Sequence, residues 1–321
     1  MNSQKKLFVE KFQPIFFKDF EMDDDFTKIL NIMISMNNLN ILFIGDIASG
    51  KTSLLNALIR EYYTGYNHKQ YNENVLYINS LKEQGINYYR TDVKIFCQTC
   101  SVIKKKKKIV ILDDIDFINE QSQQVFRNCI DKYSHNVHFI SSCSNIQKVI
   151  ESIQSRFTII KIKPLKREYI SKILNKITDS ENIDIDNEAK EFILNVSNNT
   201  VKILINYMEK FKLLNTTITY DIALQLCSNI NFLKLEEYTV YVKNKNIVEA
   251  IKIIYDIFDK GYSVMDILDS YFIFIKNTSI LTEDEKYIII PFICKYITIF
   301  NNIHEDEIEL ALFTNNLISK L

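Results

Sequence analysis

Asn40-Ile41-Leu42-Phe43-Ile44-Gly45-Asp46-Ile47-Ala48-Ser49-Gly50-Lys51-Thr52 is the stretch that decides how this chain reads. A short apolar run stops at Gly45, and Thr52 to Tyr62 then carries apolar residues at helical spacing, so the order is strand, turn, helix. The turn, Gly45 to Thr52, fits G-x-x-x-x-G-K-[ST] in the setting that pattern requires. Its glycines let backbone N–H groups converge on phosphate oxygens, and the helix N-terminus adds positive potential. The residues expected to hold a nucleotide are therefore Gly45, Asp46, Ile47, Ala48, Ser49, Gly50, Lys51, Thr52 and Ser53. Lys51 would reach the β- and γ-phosphates, and the Thr52 hydroxyl would hold Mg²⁺.

Outward from that turn, apolar runs alternate with helix-like segments. Asn74 to Ile78, Lys108 to Leu112, Val137 to Ser142 and Phe157 to Ile162 read as further strands. Helices are expected at Ile86 to Cys100 and at Asn119 to Tyr133, and the alternation predicts a parallel, helix-covered sheet. Ile109-Val110-Ile111-Leu112-Asp113-Asp114 is an apolar strand ending in carboxylates, which delivers acid groups to the sheet edge where ligands bind. Asp113 is the expected Mg²⁺ partner, and Asp114 the group that orients or deprotonates an attacking water. Beyond Pro164 the pattern becomes helical. This predicts an α/β core at 1–164, a small helical domain at 165–230 and a helical carboxy-terminal domain at 231–321.

Composition narrows the function classes. The 321 residues carry 39 Lys+Arg against 40 Asp+Glu, a net charge of -1, which excludes a uniformly basic nucleic-acid coat but not a local basic surface. The first ten residues have no apolar core of a signal peptide, and the longest apolar stretch, Tyr287 to Cys294, contains Pro291 and is too short to span a bilayer. A soluble protein with free thiols in a reducing compartment is expected. Cys97-Gln98-Thr99-Cys100 lacks a second Cys pair or a nearby His, so it reads as plain thiols. His135 and His138 read as loop residues, and Lys104 to Lys108 as a solvated loop. Arginine occurs only at 60, 90, 127, 156 and 167, so an Arg here marks a place where a planar fork is of use.

Taken together, these motifs resemble the AAA+ ATPases, and within them the replication factor C small subunits. Val9-Glu10-Lys11-Phe12-Gln13-Pro14 resembles the family's V-E-K-Y-R-P, which implies that Val9 and Phe12 lie against the adenine. Ile78-Asn79-Ser80 with Gln84-Gly85-Ile86, Arg90 and Lys94 resembles N-A-S-D-x-R-G-I-x-x-V-R-x-x-I-K. Leu112 to Asp116 resembles L-D-E-A-D, and Gln123-Gln124-Val125-Phe126-Arg127, with Tyr133-Ser134, resembles Q-Q-A-L-R-R-x-x-E-x-Y-S. Lys148 to Phe157 resembles K-I-I-E-P-I-Q-S-R-C.

The resemblance implies a P-loop core, a helical lid, and a helical collar that assembles the ring. It implies sibling subunits in a hetero-pentamer, a ring-shaped sliding clamp of the PCNA kind, and primer–template DNA as partners, with no membrane. It places Arg156 in a neighbouring subunit's ATP site as a finger acting in trans. It places Arg90, Lys94 and Arg127 against DNA, near the starts of two helices. Ser144, with Asn145 beside it, takes the place of the family's sensor Asn, and Val201 replaces the Arg of a second sensor motif that aligns with 198–201. Asp114 replaces a Glu that is one methylene longer. ATP binding is therefore expected, with weak turnover at the chain's own site. The alternatives are a hydrolysis-deficient structural subunit of the same ring, or another AAA+ DNA-remodelling ATPase. The Asn- and Ile-rich composition suits an AT-rich genome, so the expected location is a nucleus or the cytoplasmic factory of a large DNA virus.

Overall fold

The computed structural model describes residues 6–80, 85–197, 200–214, 216–227, 230, 232–278, 280–300 and 306–320. Five strands make one sheet: β1 Ile41–Ile44, β2 Val75–Asn79, β3 Lys108–Asp113, β4 Val137–Cys143 and β5 Thr158–Lys161. Their order is β2-β3-β4-β1-β5, and every pairing is parallel. Each neighbour pair is thus closed by a crossover rather than a hairpin, and helices supply the connections. Every residue of β3 and β4 is buried, as expected of central strands covered on both faces.

Alternation along β3 divides the core in two. Val110 and Leu112 point into a cluster with Val93, Phe126, Ile130 and Phe139, whereas Ile109 and Ile111 point into one with Leu54, Leu58, Tyr62 and Ile140. The helix Lys51–Tyr62 covers one face and Glu120–Tyr133 the other. On the amino-terminal side, the Phe17 N–H donates to Glu61 at 3.2 Å, fixing that segment to the first of these helices.

Three local expectations are corrected. The helix expected at Ile86 to Cys100 is two helices, Ile86–Arg90 and Asp92–Gln98, parted at Thr91, whose hydroxyl donates to the Asn87 carbonyl at 2.8 Å. A side chain bonding to the preceding turn commonly accompanies such a break. The lysine run is not uniformly solvated: Lys104 and Lys105 are exposed, but Lys106 lies over the Tyr62 ring and Lys108 is buried at the start of β3. Lys108 keeps its ammonium satisfied on the Phe96 carbonyl (3.2 Å) and the Thr99 hydroxyl. His138 is not in a loop but buried in β4, while His135 is exposed. Cys97 is buried in its helix and Cys100 exposed just beyond it, and both are free thiols.

The chain divides into two compact units, Met1–Ile177 with Asn199–Ile205, and Thr178–Asn198 with Asn206–Leu321. Described residues of the second unit are helical apart from short links and one bridge, Ile185 to Ile218. Its carboxy-terminal helices pack on Tyr238, Tyr271 and Phe313, with the Tyr238 hydroxyl 3.0 Å from that of Thr314. Pro291 sits inside the helix Glu283–Phe300. Among the described residues no helix is long and apolar enough to cross a membrane.

Candidate functional site

The carboxyl ends of β1, β3 and β4 lie side by side, Ile44 opposite Cys143 and Leu112 opposite Ser141. The turn from Gly45 to Lys51 starts at that edge. A Cβ on Gly45 would come within 2.7 Å of Ser49 Oγ and 3.2 Å of Ile162 Cβ, so a side chain there would have to displace Ser49 and press on Ile162. Gly50 has φ 89°, and Ala48, where the family has another glycine, is held at φ 61°.

Lys51 is 6% exposed, and its ammonium donates to the carbonyls of Gly45 and Asp46, both at 2.9 Å, and to Ser144 Oγ at 3.1 Å. Three donors meet three acceptors, which is what a buried ammonium requires. The Thr52 hydroxyl donates to Asp113 Oδ2 at 2.9 Å, joining the loop to the end of β3. Asp113 also accepts from the hydroxyls of Tyr77, on Oδ2, and Ser142, on Oδ1. Asp114 follows in the left-handed region, φ 55°, with its N–H on Ser142 Oγ at 2.9 Å. Burial first, and then the neighbouring Asp113 charge, raise the Asp114 carboxyl above its ordinary range, while Lys51 pulls the other way.

Ser144 and Asn145, the residues expected at the sensor position, make different contacts. Asp116 Oδ2 accepts the N–H groups of both Ser144 (3.1 Å) and Asn145 (3.0 Å) and so holds the segment after β4. Ser144 then turns its hydroxyl to Lys51, whereas the Asn145 side chain accepts from Gln147 N–H at 2.9 Å and caps its own turn. Of the second sensor motif, 198 and 199 lie outside the described residues; Val201 opens the helix Val201–Leu214 and Lys202 is exposed. Residues 81–84, which include Gln84 of the motif near β2, also lie outside the described residues.

These residues fit a nucleotide with a divalent cation. Gly45 leaves a cradle that a Cβ would fill, and a buried ammonium lies inside the loop. Thr52 and Asp113 bring hard oxygen donors together at 2.9 Å, the donor chemistry Mg²⁺ selects. When bound, the cation would neutralise phosphate charge.

Arg156 lies elsewhere on the first unit. It forks onto Asp131, with Nη2 at 3.1 Å from Oδ2 and Nε on Oδ1, while Nη1 donates to Ser155 Oγ at 3.2 Å. Arg127 Nε is 3.2 Å from the same Oδ2. The Arg156 hydrogen bonds, more than any other cause, hold the Asp131 carboxyl below its usual range. Gln123 is 1% exposed and ties the helix Glu120–Tyr133 to the segment leading to Arg156: it donates to the Lys148 carbonyl at 2.8 Å and accepts from Ile150 N–H at 2.9 Å.

Arg90 is the last residue of its helix, and Lys94 the third of the next; both are exposed. Arg127 is mid-helix and Arg90 at a helix end, so of the three only Lys94 lies near a helix start, which corrects the expected placement. Val9 is exposed on the short helix Phe8–Lys11, and Phe12 is half-buried, edge-on to Phe8 at 5.4 Å. Sequence reasoning missed Tyr77, Asp131 and Ser142. Two signals were available: strand alternation, which puts Tyr77 and Asp113 on one sheet face, and the acidic position of the motif that begins at Gln123, which falls on Asp131.

The model of the AAA family, "ATPase family associated with various cellular activities", matches residues 41–165. The chain is 30% identical over 261 residues to replication factor C small subunit 2 of Pyrobaculum islandicum, covering 81% of this chain and 80% of that one. It is 28% identical over 287 residues to the replication factor C small subunit of Methanococcus maripaludis strain C7, covering 89% and 90%. Among solved structures, the Thermotoga maritima Holliday-junction branch-migration motor RuvB superposes with TM-score 0.55 at 13% identity, covering 73% of this chain and 80% of that one, a likeness of fold alone. With the phosphate-binding turn, the acidic end of β3 and these relatives in place, the chain belongs to the replication factor C small-subunit family and carries an AAA ATPase domain.

Proposed function

We propose that this chain is an ATP-binding small subunit of a clamp loader, which opens a sliding clamp and sets it on primer–template DNA during replication. The observation that carries the reading is the junction of Lys51, Thr52, Asp113 and Ser144 at the carboxyl edge of the sheet, in a chain of this family. Thr52 and Asp113 hold Mg²⁺, Lys51 and the loop N–H groups hold the triphosphate, and Asp114 orients the attacking water. Val9 and Phe12 flank the base. Residues 165–230 serve as lid and 231–321 as the collar of a hetero-pentamer, whose clamp is of the PCNA kind.

Arg156 acts on a neighbour's nucleotide, stabilising charge that develops on the γ-phosphate. Arg90, Lys94 and Arg127 track DNA phosphates without reading bases, the mode a structure-selective loader needs. The composition supports work in a nucleus or in the factory of a large DNA virus.

The test is to reconstitute the chain with its sibling subunits and measure DNA-stimulated ATP hydrolysis and clamp loading. Lys51→Ala should remove nucleotide from this subunit and lower both activities. A second reading, a subunit that binds nucleotide without turning it over, is favoured by the short Asp114 side chain, whose main chain is fixed on Ser142. It predicts that Lys51→Ala leaves ATPase of the complex nearly unchanged. A complex that binds no nucleotide at this subunit overturns both.

A further inference from the structure

Tyr77 stands outside every motif that carries the functional reading, yet its phenol reaches the carboxylate at the centre of it. The residue lies in the middle of β2, in register with Ile111 of β3. Asp113 is two residues further along β3, on the same face of the sheet. A tyrosine is long enough to span that diagonal, and its hydroxyl donates to Asp113 Oδ2. The residue is 40% exposed, so what the sheet gains from it here is the polar tip more than core packing.

The arrangement fills Oδ2 of the carboxylate and leaves Oδ1 one lone pair. An ionised carboxylate oxygen offers about two lone-pair sites. Oδ2 accepts from both Tyr77 and Thr52, and Oδ1 accepts from Ser142. A hard cation held between Thr52 and Asp113 would sit on the Oδ2 side, and it, or a water bound to it, needs a lone pair of its own on that oxygen. Thr52 can yield its place and still serve, because its oxygen is itself a candidate ligand. Tyr77 has no such second use in the site.

We propose that Tyr77 is a positioning residue that competes with the divalent cation for Asp113: its hydrogen bond holds Oδ2 in the cation-free arrangement and raises the Mg²⁺ concentration needed for tight nucleotide binding. The inference rests on the reading of Thr52 and Asp113 as the Mg²⁺ partners. Its consequence is a site that charges with nucleotide only above a Mg²⁺ level set by the phenol.

The experiment titrates a fluorescent ATP analogue into the full chain over a series of Mg²⁺ concentrations and in EDTA. In Tyr77→Phe the Mg²⁺ midpoint should fall by about two- to tenfold, the usual net weight of one hydrogen bond, with affinity in EDTA unchanged. Tyr77→Leu should move the midpoint in the same direction, and melting curves establish that both variants are folded. As a readout independent of stability, 3-fluorotyrosine placed at 77 should show a shifted ¹⁹F resonance when Mg²⁺ and nucleotide are added together. An equal or higher midpoint in folded Tyr77→Phe, or an unmoved resonance, overturns the proposal. A wild-type chain that binds no nucleotide at any Mg²⁺ level overturns the site reading as well, whereas identical Mg²⁺ dependence in both chains overturns this inference alone.

Discussion

Asp131 holds Arg156 through both of its carboxylate oxygens and, on one of them, has Arg127 at 3.2 Å as well. Two of the five arginines in the chain thus converge on one acid, which stands at the Glu position of the Q-Q-A-L-R-R-x-x-E-x-Y-S pattern. A guanidinium forked on a carboxylate has a fixed direction, which a lysine in the same place would lack. With Arg156 read as the finger, Asp131 aims it, and replacing Arg156 removes the group itself. Arg156→Ala should lower DNA-stimulated turnover of the reconstituted complex at the neighbouring site by about 10³-fold or more, with nucleotide binding at residues 45–52 unchanged. Asp131→Asn should lower it far less, since the guanidinium remains. Single-turnover hydrolysis with the other sites silenced measures both, and full activity of Arg156→Ala would sink the finger assignment.

Asp114 carries the second prediction. Its backbone sits at φ 55° with the N–H fixed on Ser142, so the main chain has little freedom to bring a short carboxylate forward. Asp114→Glu adds the missing methylene and should speed own-site hydrolysis at least about tenfold, a part of the roughly 10²–10⁴-fold that a well-placed base supplies. Asp114→Asn should abolish that gain. Because burial raises the Asp114 pKa, its ionised fraction starts to fall at a higher pH than for an ordinary aspartate. The acid limb of the pH–rate profile should shift upward accordingly. A rate in Asp114→Glu no faster than wild type would show that the base is not limiting.

How far the sequence could be read follows from which forces were local. The strands came out within a residue or two because each is an apolar run closed by polar or turn residues, and β3 ends where Asp113 begins its polar work. The phosphate-binding turn was legible because its glycines and lysine do their work over eight consecutive positions, Gly45 to Thr52. Tyr77 and Ser142 were not legible, since each acquires its role from Asp113, 36 and 29 residues away in the chain, and Asp131 was legible as an acid but not as the partner of Arg156, 25 residues away. His138 and Lys108 misled for a related reason: both are polar residues on central strands, where neighbours on other elements satisfy them. The division between Ser144 and Asn145 depends on which of two adjacent side chains faces Lys51, and composition says nothing about that.

Ala48 gives a stability test of the loop. At φ 61° an L-residue with a Cβ is strained by about 1–2 kcal/mol relative to glycine. Glycine gives back roughly 0.5–1 kcal/mol through its freer unfolded chain. Ala48→Gly should therefore stabilise the folded chain by about 0.5–1 kcal/mol and raise the melting temperature by about 1–2 °C. Differential scanning calorimetry reads this directly. A lower melting temperature would mean that the Ala48 methyl makes packing contacts worth more than the strain.

His138 predicts how the first unit responds to acid. The ring is 1% exposed, with Nε2 3.0 Å from Asn37 Oδ1, Nδ1 accepting the Leu39 N–H at 3.4 Å, and an edge toward the Tyr62 ring. That tautomer is neutral, with its one proton on Nε2. Burial, reinforced by the positive charges of Lys107 and Lys106, pushes its pKa down to about 3 from 6.5. The folded state therefore refuses a proton that the unfolded state takes up below pH 6.5, and stability must rise with pH across that window. Between pH 6.5 and about 3, this one group should remove up to about 1.4 kcal/mol per pH unit on acidification, and nothing further above 6.5. Urea unfolding at pH 7 and pH 5 for wild type and His138→Gln measures it. The glutamine can still donate to Asn37 but does not titrate, so its loss between the two pH values should be the smaller, and an equal loss would mean that acid acts through other groups.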